Sequence, residues 1–118
     1  GNSTVTINEF TLLSERTIGL YLKYLRENKI EEAYSLLSYE YKQYVPLDDF
    51  KAYISNTKFS KYSVNSITRK TENMYLATLD VDGEKQEMLI ILVGERFCIV
   101  PEPFLKYAVS ILSFALLC

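Results

Sequence analysis

Histidine is absent from the 118 residues of this chain, and that absence limits its chemistry more than any residue it contains. No Ser-His-Asp or Cys-His relay can be assembled, and no zinc site can be built on imidazole. The two cysteines, Cys98 and Cys118, are too few for a structural zinc site, and neither stands next to a cation that would activate a thiolate. All four glycines are isolated, so no phosphate-cradling loop is present. The sequence therefore implies no catalytic residue, no metal ligand and no cofactor.

Two groups of residues still invite a role. Asp80 and Asp82 lie two apart in a strand-like stretch, hence on one face, which is the spacing acid/base work would need. They also stand at a turn, where aspartate is expected for structural reasons and water keeps it ordinary. Tyrosine is abundant, and Tyr34, Tyr39, Tyr41 and Tyr44 fall close together. Of these, Tyr34, Tyr41 and Tyr44 are the candidate ligand-binding residues, because a phenol offers apolar area with a polar tip, suited to a small apolar ligand or a glycan. Half-buried packing between helix and sheet explains the same tyrosines more simply.

Charge points away from nucleic acid as a partner. The net charge is -2, although Lys42 to Lys70 carries six basic residues against two acids. With Phe50, Tyr53, Phe59 and Tyr62 interleaved, that stretch could track an anionic polymer. Without a repeat it reads more simply as a solvated face. The apolar fraction of 48% and charged fraction of 24% are those of a globular chain, and the length suits one domain, residues 1-118.

The elements that must position these residues follow from periodicity. Residues 14 to 28 form an amphipathic pattern through Ile18, Tyr21, Leu22 and Leu25, with Ser14 as N-cap and Glu15 in the first turn. A turn at Asn28-Lys29 leads to a second helix over 30 to 38, with Ile30, Ala33 and Leu37 inward. Pro46 breaks the polar, tyrosine-rich segment 39 to 45 and precedes a third helix near 47 to 55, which buries Leu47, Phe50 and Ile54.

Beyond Asn56 the pattern becomes that of strands, over 61 to 70, 73 to 82, 85 to 93 and 96 to 100. Asp82-Gly83 predicts a type I′ hairpin turn, while Thr71-Glu72-Asn73 and Gly94-Glu95 supply the other two. The result is an antiparallel meander of four strands. Met88 to Val93 are six apolar residues in succession and Phe97 to Val100 repeat the pattern, so both faces of the sheet should be buried.

Something must cover the second face: the chain's own tail or another subunit. Residues 104 to 118 carry one charge, Lys106, and the apolar run from Tyr107 to Cys118 is shorter than the roughly 20 residues a spanning helix needs. The tail thus reads as a buried or exchanged helix, or as the start of a membrane segment. A Cys98 to Cys118 bridge would require it to fold back over the strand of Cys98. The polar opening Gly1-Asn2-Ser3 looks like a processing junction and no signal peptide is visible, which leaves room for a targeting segment already removed.

The order of elements and the stretch 28 to 42, NKIEEAYSLLSYEYK, with Ala33-Tyr34-x-Leu36-Leu37-Ser38 in its second helix, resemble the nuclear transport factor 2-like superfamily. More narrowly they resemble its small bacterial extracytoplasmic members. The resemblance covers about residues 14 to 100 and leaves the tail aside. It implies an α+β cone in which a strongly curved sheet wraps the N-terminal helices, with an open mouth used as a pocket and an outer sheet face through which many members dimerise.

Two functions are expected on this basis. The first is a non-catalytic accessory or binding domain of a bacterial extracytoplasmic or membrane-associated protein, with cytoplasmic residence left open. It would act by protein association, homo-oligomeric or with another protein, through the outer sheet face or C-terminal segment, or by holding a small apolar ligand. The second is a small isomerase or dehydratase using a carboxylate in the cone.

Overall fold

A computed structural model describes residues 2–55, 57–94 and 96–101, with side chains from residue 12 onward. The element order is α1 (Asn2–Arg26), α2 (Ile30–Ser35), α3 (Tyr39–Tyr44), α4 (Leu47–Ile54), β1 (Tyr62–Thr71), β2 (Met74–Val81), β3 (Glu84–Val93) and β4 (Arg96–Pro101). The described residues are α+β, with four helices and an open antiparallel sheet in the order β1-β2-β3-β4. The apolar tail, residues 104 to 118, lies outside the described residues.

Helix α1 corrects the expected start at Ser14, because it begins at Asn2. Ser14 is not a cap but a fully buried residue within the helix, on the stripe that continues through Ile18, Tyr21, Leu22 and Leu25. A polar side chain in an apolar stripe interrupts the period and so imitates a helix start. The far end of α1 closes as the sequence suggests. Asn28 takes the left-handed conformation at φ 61, with its amide donating to the Leu25 carbonyl and the Lys29 amide to the Tyr24 carbonyl. That pair of bonds is a Schellman closure, and asparagine tolerates its geometry.

Helix α2 stops at Ser35, short of the expected 38, because the next residues are drawn to the sheet. The Ile99 amide donates to the Leu36 carbonyl at 2.9 Å and the Ser38 amide to the Ile99 carbonyl at 3.0 Å, which makes a parallel bridge between Leu37 and Ile99. Ser38 then caps α3, its hydroxyl accepting from the Tyr41 amide at 3.1 Å. Residues 39 to 44, which the sequence pattern assigns to no helix, are therefore helical. A six-residue helix shows too little periodicity to be legible without that cap. Helix α4 matches expectation, with Phe50 and Ile54 buried and Leu47 half-buried.

The hairpins form as predicted. Val81 pairs with Glu84 across Asp82 and Gly83, whose φ values are 51 and 90. Both lie in the left-handed region, as a two-residue type I′ turn requires. In β2, Tyr75, Ala77, Leu79 and Val81 are buried while the alternate residues are half-buried. Register extends the first set to Met88 and Ile90 on β3 and to Ile99 on β4. This face looks toward α1, since Tyr62, paired with Val81, brings its hydroxyl against Gly19.

On the opposite face Leu89, Ile91, Cys98 and Val100 are also buried, with Met74 and Leu76 half-buried beside them. The expected burial of both sheet faces is thus present along β3 and β4. It arises within the single chain. Among the described residues no helix is long and apolar enough to cross a membrane.

Candidate functional site

The three candidate tyrosines share a neighbourhood and point to different tasks. Tyr34, half-buried on α2, donates its hydroxyl to the Val45 carbonyl at 2.8 Å and so staples α2 to the end of α3. Its ring lies 5.6 Å from that of Phe50, which in turn lies 6.4 Å from Tyr21 and 6.5 Å from Tyr53. Tyr41 is fully buried beneath α3 and offers no surface to a ligand in this arrangement, whereas Tyr39 and Tyr44 are each 44% exposed. A helix of six residues cannot turn positions 39, 41 and 44 to one side. What unites Tyr34 and Tyr41 is the hydrophobic core, in which Tyr41 is buried and against which Tyr34 packs.

The electrostatics of this cluster follow from its dryness. Burial raises the Tyr21 phenol well above its ordinary value, and Tyr41 and Tyr53 add to the shift. Burial likewise raises Tyr34. The Lys42 ammonium stands 5.9 Å over the Tyr34 ring, and burial, followed by repulsion from Arg96, lowers its pKa. These shifts accompany packing rather than a cavity.

Asp80 and Asp82 are engaged separately. The Asp82 carboxylate accepts from the Lys61 amide at 2.9 Å and the Ser60 amide at 3.3 Å, while its own amide donates to the Lys61 carbonyl at 2.8 Å. It clamps the chain leading into β1 onto the hairpin. The Asp80 carboxylate accepts from the Asn65 side-chain amide at 2.9 Å. Asn65 is the extra residue between Val64 and Ser66 where the β1–β2 register shifts, so Asp80 fixes a bulge. Each carboxylate has a structural task at the surface, and the two line a small open recess of about 170 Å³ together with Lys61, Tyr62, Ser63 and Gly83. Cys98 is buried in β4 and disulfide-bonded, while Cys118 lies outside the described residues.

One concavity among the described residues is not announced by the sequence. A groove of about 520 Å³ runs between the end of α1, the start of α2, the end of α4 and the segment after it. Leu25, Ile54 and Phe59, each 6 to 7% exposed, make its floor together with Ile30. Glu31 and Glu32 line one wall, and Lys51, Ser55 and Thr57 the other. Two of its residues carry positive φ, Asn28 at 61 and Phe59 at 55. For phenylalanine that conformation is strained, at a cost of about 1–2 kcal/mol, and burial of the ring in the groove floor offsets it. The one signal available in sequence was Asn28, which foretold the sharp turn between α1 and α2 that forms one end of the groove.

Comparison with protein families, with curated proteins and with solved structures finds no match to this chain. The chemistry of the site therefore rests on its own geometry.

Proposed function

We propose that this chain is a non-catalytic, nuclear transport factor 2-like accessory domain, its sheet curved into a cone around the helices, that works by associating with another protein surface through its outer sheet face. The supporting observation is the margin of that face: Leu89, Ile91, Cys98 and Val100 are already buried within the chain, and beside them Met74 and Leu76 on β2 remain only half-buried. An apolar margin continuous with buried apolar residues is the composition of an interface rather than of a solvated sheet. The disulfide at Cys98 favours an oxidising, extracytoplasmic compartment for the bacterial protein of this reading.

Light scattering across a concentration series tests the association. Wild type is expected to show a mass above that of the monomer, and Leu76→Glu, which places a charge on the half-exposed margin, to return it to the monomer. A monomer mass for both proteins at every concentration would reject association of the chain with itself through this face.

A further inference from the structure

The helical groove carries an inference that lies outside the sheet and outside the association just described. Its floor is apolar, formed by Leu25, Ile54 and Phe59, and its volume of about 520 Å³ is within the range that accommodates small molecules. Above that floor the charges are unbalanced, with two carboxylates, Glu31 and Glu32, against the single ammonium of Lys51. None of the three is in an ion pair among the described residues, where the recorded pair is Lys29 with Glu27 at 3.5 Å.

The groove is also fixed in shape before any ligand arrives. The Schellman closure at Asn28 sets one end, and the buried Phe59 ring, reached through a left-handed backbone, sets the floor. Preformed walls reduce the ordering cost of binding. Apolar floor and net negative rim together select a ligand that is apolar at one end and cationic at the other.

We propose that this groove binds a small primary amine with an apolar tail, its alkyl or aryl portion lying on Leu25, Ile54 and Phe59 and its ammonium donating to the carboxylates of Glu31 and Glu32. Lys51 opposes the cation and sets the selectivity between amines and zwitterions. Because no sheet residue lines the groove, its occupancy and the association of the outer sheet face stand or fall separately.

The test is a titration of the whole chain, followed by amide chemical shifts, with three probes of equal length: hexylamine, hexanol and hexanoate. Hexylamine is expected to bind most tightly, with shifts concentrated at Leu25, Ile54, Thr57 and Phe59, and hexanoate least. Replacing both carboxylates, Glu31→Gln with Glu32→Gln, should weaken hexylamine about fivefold at low salt and leave hexanol unchanged, as suits an exposed ion pair. Lys51→Gln should strengthen hexylamine about twofold by removing the opposing charge. Shortening the probe to butylamine should cost up to about fourfold for each methylene lost from the floor. All three replaced side chains are exposed, so the variants are expected to fold as wild type does. Equal affinity for hexylamine and hexanoate, indifference to the double glutamine variant, or shifts scattered away from the groove would each overturn the proposal.

Discussion

At one edge of the sheet, β4 is joined by backbone hydrogen bonds to Leu36 and Ser38 and is buried from Phe97 to Pro101; at the other, β1 leaves its outer edge unpaired among the described residues and is largely exposed. Both are strands of the same meander, yet they protect themselves differently. The closed edge removes its free amides by pairing and its apolar surface by burial. The open edge keeps water on both sides and relies on irregularity. Register shifts at Asn65 and at Lys70 leave a short regular run between them, and Arg69 and Lys70 add charge. Bulges and edge charges of this kind disfavour addition of a further strand. On this contrast, residues where α2 and α3 meet β4 should contribute more to stability than those of β1, which is largely exposed.

The largest test of that contrast compares two isoleucines. Ile99→Ala, fully buried and bonded through its backbone to the α2–α3 link, should lower unfolding free energy by about 3–4 kcal/mol, whereas half-buried Ile67→Ala on β1 should cost about 1 kcal/mol. Urea denaturation measures both, and equal losses would break the contrast. Asp82→Ala tests what holds the start of β1. It should cost about 2 kcal/mol, because the variant loses a residue that tolerates positive φ and two accepted hydrogen bonds. Asp82→Asn, which keeps the backbone preference and one acceptor, should recover about half of that in the same assay.

At the closed edge, Ser38→Ala removes the cap of α3 while leaving the backbone bond to Ile99, and a loss of about 1 kcal/mol is expected. A much larger loss would mean that the cap, not the strand pairing, fixes α3. The alkaline limb of stability sharpens the picture of the dry aromatic cluster. Tyr21 ionises in the fold above its ordinary value of 10.0, so its contribution is intact below about pH 10 and falls as pH rises beyond, where the unfolded chain ionises first. Tyr21→Phe should flatten that fall above pH 10. Lys42 acts in the opposite direction, its cost to the fold lifting as pH climbs toward 10.5. The smallest effect is expected at Tyr75, whose buried hydroxyl has no hydrogen-bond partner among the described residues. Tyr75→Phe should be neutral or slightly stabilising by thermal denaturation, and a loss above about 1 kcal/mol would show that the hydroxyl is satisfied after all.

The strands were legible because each is bounded by its own turn chemistry, with Asp82-Gly83 the plainest instance. The helical half was less so. Ser14 imitates a cap only when its burial is unknown, and α3 depends on Ser38 being placed by β4, some 60 residues later in the chain. The candidate tyrosines were grouped by sequence proximity, which could not tell that Tyr41 turns inward and Tyr44 outward. The groove escaped because its walls come from α1, α2 and α4 and its floor from Phe59, whose left-handed backbone no residue preference signals.

Sequence by itself determined the α+β class, the three hairpins, the buried character of β3 and β4, and the exclusion of imidazole chemistry. These depend on local period, on turn residues and on residue types present or missing. Tertiary structure decided where α2 ends, that residues 39 to 44 are helical, and which charged side chains stand over an apolar floor. Each of those depends on backbone hydrogen bonds or packing between segments far apart in the chain, and side chains distant in sequence carry no record of which neighbours they will meet.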